Sequence, residues 1–174
     1  MKTFPALFAL AALALGTLLS PPSAFADEVS DPARLVVGDV RAVYQISGDQ
    51  WKGDVGEALF YTRKVLDAYA RRGVSRDALH IVAVVHGDAG YWLLNDAAYA
   101  SWEGERARTG ATNPNATLVR ELIAGGVQVE MCASTMEQKG WKPGDLLPGV
   151  KITPGAYPRI VDLQLQGYAH VDFD

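Results

Sequence analysis

The chain has 174 residues, with 16 Lys and Arg against 20 Asp and Glu, and a net charge of −4. That acidic balance argues against nucleic acid or an anionic membrane surface as partners. Its one cysteine, Cys132, excludes an internal disulfide scaffold and a Cys-x-x-Cys redox pair.

Residues 1–26 read as a cleavable secretory signal peptide. Lys2 gives a positive start, and Phe4 to Leu19 is almost wholly apolar. Ser20-Pro21-Pro22 breaks the run, and Ala24-Phe25-Ala26 offers small residues for cleavage after Ala26. The run is shorter than the roughly 20 residues of a spanning helix, so no membrane partner is expected. Export in the style of this leader implies a bacterial periplasm. An odd thiol there must be buried, modified, paired with a partner, or used. Asp27 to Asp39 reads as an extended lead-in, and residues 40–174 as a single domain.

Val40 to Ser47 alternates and is rich in β-branched and aromatic residues, which predicts a first strand. Asp54 to Arg72 has helical spacing, with Val55, Leu59, Val65, Leu66 and Tyr69 on one stripe and Gly73 as the stop. Leu79 to His86 is the clearest strand. Its continuous apolar run fits a central parallel strand covered on both faces. Tyr91 to Ala100 predicts a helix, and Ser101 to Thr112 a fraying helix or loop. Asn113-Pro114-Asn115 signals the start of a helix with Leu118–Ala124 as its body and Gly125-Gly126 as its stop. Val127–Met131 predicts a strand, followed by Cys132 and a short helix to Lys139-Gly140. Trp141–Gly149 is a connection, Val150–Thr153 a short strand and Pro154-Gly155 a turn. Ala156–Gln166 predicts a helix and Tyr168–Phe173 a last strand. Strands alternating with helices predict one α/β domain with a mostly parallel five-stranded sheet.

In open parallel sheets, sites collect beyond the carboxyl ends of the strands. His86 and Cys132 both end strands that are consecutive in the chain, and consecutive strands are usually neighbours about 4.8 Å apart. A histidine beside a thiol can take its proton or steady its thiolate. Two plainer roles stay open. Cys132 can be a small buried hydrophobe, and His86 can cap its loop with a hydrogen bond. His80 starts its strand at the opposite edge, and His170 lies within the last strand. Neither has ligand spacing to Cys132, so no metal is expected. No dinucleotide fingerprint, Walker loop or Gly-x-Ser-x-Gly elbow is present. Trp51, Trp92, Trp102 and Trp141 fall at helix starts or in loops, where exposed ones would mark an interface or an apolar pocket.

The strand Leu79–Val85 running into His86-Gly87, and Leu118–Gly126 running into Val127–Cys132, together resemble the DsrE/DsrF-like proteins. So do Gly140, Asp145-Leu146-Leu147-Pro148-Gly149-Val150, Pro154-Gly155-Ala156 and Leu165-Gln166-Gly167-Tyr168-Ala169. The resemblance spans Arg41 to Phe173. It implies a three-layer α/β/α domain that forms homo-oligomers, commonly trimers or hexamers, and a cysteine that carries a persulfide in a sulfur relay. Relay members place that cysteine just before the helix preceding the third strand. The corresponding stretch here, Thr109 to Thr117, has none, and Cys132 matches a strand-end cysteine of other branches.

The expectation is then an exported DsrE-like protein that takes sulfane sulfur on Cys132 as a thiolate. His86 would act beside it, with Ser134, Thr135 and Gly87 holding the substrate. Its partners would be copies of itself and a sulfur donor or acceptor protein, with no cofactor. Two alternatives stand beside it: an oligomeric binding or scaffold protein with a structural cysteine, and a thiol–histidine metal or cofactor site.

Overall fold

A computed structural model describes residues 38–102, 110 and 112–173. The expected signal peptide, nearly all of the lead-in and the centre of the Ser101–Thr112 stretch lie outside the described residues. Within them, five strands pair in parallel: β1 (Val40–Ile46), β4 (Leu79–Val85), β5 (Gln128–Cys132), β6 (Lys151–Thr153) and β7 (Ala169–Phe173). Their order across the sheet is β6-β5-β4-β1-β7. A separate two-stranded hairpin joins β2 (Trp51–Lys52) to β3 (Val55–Gly56).

Alternation along the strands sends side chains to both faces, and both are buried. Tyr44, Ile46, Ile81, Ala83, Val85, Val129 and Met131 join one core with residues of α1 (Glu57–Arg71) and α3 (Ala116–Ala124). Val43, Val82, Val84 and Cys132 face the other way, against Ala156, Ile160 and Leu163 of α5 (Ala156–Leu165). The result is a three-layer α/β/α domain. Burying Ile160 and Leu163 is worth roughly 1.5–3 kcal/mol each, which holds α5 to its face. The connections β1 to β4, β4 to β5 and β5 to β6 each join neighbours, whereas β6 to β7 crosses from one sheet edge to the other. α5 makes that crossing and touches β1, β4 and β7 on the way.

Helix α1 starts at Glu57 and not at Asp54, because Val55 and Gly56 pair with Lys52 and Trp51 in the hairpin. Tyr91 to Ala100 is not one helix. Gly87–Leu93 winds as a 3-10 helix, and α2 spans only Asp96–Ser101. The break falls where Leu94 bridges to Leu146 and the Asn95 side chain accepts the Ala98 N–H at 3.0 Å. Asn115 precedes α3 as its sequence position predicts, but its side chain does not cap that helix. Its Oδ1 accepts the Gly56 N–H at 2.6 Å and so ties the hairpin to α3.

The tryptophans are packing residues. Trp92 is fully buried, and Trp51, Trp102 and Trp141 pack against the same core. Trp102 stacks on Tyr91 with ring centroids 4.2 Å apart. No local pattern marks this aromatic cluster, because its members come from four separated segments.

A Cβ on Gly56 would lie 2.6 Å from the Trp92 ring, and that ring has no room to retreat. Gly56→Ala should therefore destabilise the fold by about 1–3 kcal/mol through overpacking. Gly144→Ala, where nothing lies within 4 Å of the added atom, should stay within about 0.5 kcal/mol of wild type. Urea unfolding of the two variants checks the contrast, and equal midpoints would refute it.

Candidate functional site

Beyond the carboxyl ends of β4, β5 and β6 lies a cleft of about 710 Å³. β4 supplies His86 and Gly87 at its end, and β5 supplies Cys132. The first turns of α4 (Ala133–Lys139) and α5 complete the walls with Ser134, Thr135, Ala156, Tyr157 and Arg159. All five residues singled out in the sequence thus line one cavity. His80 and His170 do not: His80 Nε2 meets Asp39 at 3.3 Å, and His170 Nε2 lies 3.2 Å from Gln45 Oε1. Among the described residues, no cluster of three metal-ligating side chains exists, and no helix is long and apolar enough to cross a membrane.

Cys132 is both the last residue of β5 and the residue that caps α4. The strand turns into the helix without a loop, so the sulfur sits where the first free amides of α4 point. Burial pushes the Cys132 thiol up. The Thr135, Ala156 and Ser134 amides and the Thr135 hydroxyl push it down and prevail, leaving the thiol below its ordinary value. These are electrostatic contacts with a large, soft sulfur, not a close capping hydrogen bond. Cys132 is 5% exposed, so a charge on its sulfur leans on these dipoles.

Thr135 is itself fixed. Its Oγ1 accepts the Gly87 N–H at 3.0 Å, which leaves its proton free to face the sulfur. Gly87 makes that turn at φ 60°, a left-handed conformation that favours glycine. A Cβ on Gly90 would lie 3.1 Å from Thr135 Cγ2 and 2.9 Å from Trp141. The bare Gly90 backbone is thus what lets Thr135 fit.

His86 is 8% exposed, and its Nε2 has no hydrogen-bond partner among the described residues. Its ring meets Tyr157 edge-on, with centroids 5.3 Å apart. Burial lowers the imidazole below its ordinary value, with Asp172 opposing weakly. His86 is therefore neutral near pH 7. It offers a proton acceptor or donor to the cleft but no positive charge for a thiolate, and it is not among the groups that lower Cys132.

Sequence reading missed Glu130 and the α5 residues Tyr157 and Arg159. Glu130 is 3% exposed and accepts a two-pronged bond from Arg159, with Nε at 3.0 and 3.1 Å and Nη2 at 2.8 Å. The period-two spacing of Glu130 and Cys132 puts them on one face, a signal that was available. Their arginine partner was not legible, because only the crossover brings α5 there.

Residues 54–173 match the DsrE/DsrF-like family. Protein MTH1491 of Methanobacterium thermoautotrophicum, a protein of unknown function, shares the fold with a TM-score of 0.56 at 22% identity. That match covers 78% of this chain and 100% of the other. The ychN protein of E. coli matches with a TM-score of 0.50 at 19% identity, covering 77% of this chain and 99% of its own. At such identities these likenesses concern the fold alone. No curated protein matches the chain.

Thr135→Val removes a hydroxyl that faces the sulfur, so the native thiol should titrate at higher pH than in wild type. Alkylation of Cys132 at neutral pH should slow by about three- to tenfold, the scale of one ordinary hydrogen bond. Thr135→Ser, which keeps the hydroxyl, should stay near wild type. Equal pH–rate profiles for Thr135→Val and wild type would contradict this assignment.

Proposed function

We propose, from the premise that this chain belongs to the DsrE/DsrF-like family, a sulfur-relay-type family, that it is an exported carrier of sulfane sulfur with Cys132 as the carrier thiol. One observation carries the reading: a buried thiol held below its ordinary value in a cleft that also holds an unpartnered histidine nitrogen. Only the thiolate is a competent nucleophile.

The transfer needs no oxidant. The Cys132 thiolate attacks the outer sulfur of a persulfide donor R–S–SH. A new S–S bond forms as the donor's S–S bond breaks, and the electron pair leaves with R–S⁻. The proton stays on the outer sulfur, whose oxidation state does not change. Neutral His86 accepts a hydrogen bond from that S–H through its open Nε2. The Thr135 and Ala156 amides, with Ser134 and Gly87 beside them, hold the inner sulfur and orient the outer one towards the cleft. Delivery to an acceptor thiolate runs the same steps in reverse.

The leader sequence of residues 1–26 supports a periplasmic setting. Tyr157, Val161 and Leu165 lie at i, i+4 and i+8 on α5 and are 66%, 53% and 82% exposed. This apolar stripe supports self-association, or docking of a sulfur donor or acceptor protein, beside the cleft mouth.

A second reading rests on the same burial. Cys132 packs with Val84, Ile160 and Leu163, as a structural thiol would in an oligomeric binding or scaffold protein. The two readings part under mass spectrometry of the native protein after exposure to a persulfide or polysulfide donor. The carrier reading predicts one added sulfur on Cys132, removable by a thiol and absent from Cys132→Ser. No added sulfur, with the thiol unreactive until the fold is denatured, would leave only the structural reading.

A further inference from the structure

Glu130 and Arg159 form a charged pair under the cleft, and the mechanism above does not use it. Glu130 stands two residues before Cys132 on β5, on the same face of the strand. Arg159 stands three residues after Ala156, in the first turn of α5. The guanidinium grips both carboxylate oxygens through Nε and Nη2 at 2.8–3.1 Å. Such two-pronged pairs fix direction as well as distance. Gln128 also donates to Glu130, and Lys151 Nζ donates to Gln128 Oε1 at 2.7 Å. The carboxylate is thus held from two sides and tied to the neighbouring strand.

The pair sits where the fold has most need of a fixed register. α5 is the long crossover and follows the short β6 and a Pro154-Gly155 turn. Gly155, which caps α5, makes no side-chain capping bond. Ala156, Ile160 and Leu163 pack one face of α5 on the sheet, and the Arg159 ion pair adds a directed contact from the first turn to β5. The Ala156 amide faces the Cys132 sulfur from that first turn.

We propose that Glu130 and Arg159 are positioning residues: their ion pair pins the first turn of α5 to β5 and thereby holds the Ala156 amide on the Cys132 sulfur. This deepens the carrier reading and rests on it for its purpose, while its test does not depend on sulfur transfer. The other titratable groups around the thiol are His86 at the end of β4, and Tyr157 and Asp162 on α5. The last two leave with no substitution below, and His86 is neutral near pH 7.

The test is the pH–rate profile of Cys132 alkylation by iodoacetamide in the folded protein. Arg159→Met should move the midpoint to higher pH and slow the reaction at neutral pH about three- to tenfold, equivalent to one lost amide contact. Arg159→Lys should recover part of the loss. Because Arg159→Met strands a buried carboxylate and can fail to fold, the double variant Glu130→Met with Arg159→Met removes both charges at similar volume. It should fold and still show the raised midpoint. Val119→Ala, which weakens the core on the opposite face, should lower thermal stability and leave the midpoint alone. Wild-type midpoints in Arg159→Met and the double variant would overturn the proposal. Unfolding of every Glu130 and Arg159 variant would also overturn it, since the pair would then be a requirement of the fold. Shifted midpoints in a protein that accepts no sulfur would keep the clamp and remove the carrier reading.

Discussion

The long crossover from β6 to β7 is the constraint on which this molecule depends. Every other sheet connection joins neighbouring strands. This one must cross the sheet, and the helix that makes the crossing covers the face on which Cys132 stands. Its first turn must therefore begin beside the end of β5. A parallel sheet already gathers its strand ends on one rim. The crossover adds a lid of backbone N–H groups and a charged anchor to that rim.

That arrangement sets two opposing effects against each other. Burial under α5 disfavours a charged thiolate, while the amides of Thr135, Ala156 and Ser134 favour it, and the amides prevail. A thiol with burial alone would be inert, and one with amides but no burial would be open to every oxidant. The linkage follows from the sign of the shift. A thiol lowered in the native state adds stability above its unfolded value and loses it as pH falls through the native one. His86 acts in the same direction at lower pH: burial disfavours its charged form, so acidification below its ordinary value works against the fold.

Much of the fold was legible because its signals are local. The apolar run Ile81–Val85 marked a central strand, and the order of helices and strands gave the layers. The strand-end positions and the adjacency of consecutive strands placed His86 and Cys132 on one rim. What was hidden depends on contacts between distant segments. The hairpin Trp51–Gly56 is too short to carry a pattern, and it cut the start of α1. Asn115 reads as a helix cap but spends its side chain on Gly56. Of the two roles His86 could play beside the thiol, burial favours the neutral ring, a property no sequence pattern displays. Arg159 enters the site only through the crossover.

The fold holds the Cys132 thiol below its ordinary value despite its burial. Ultraviolet titration of thiolate absorbance in the native protein, corrected with Cys132→Ser, tests this most directly. A single thiolate transition is expected below the pH of an ordinary cysteine, moving up to the ordinary value on unfolding in denaturant. A native transition at or above the ordinary value would contradict it.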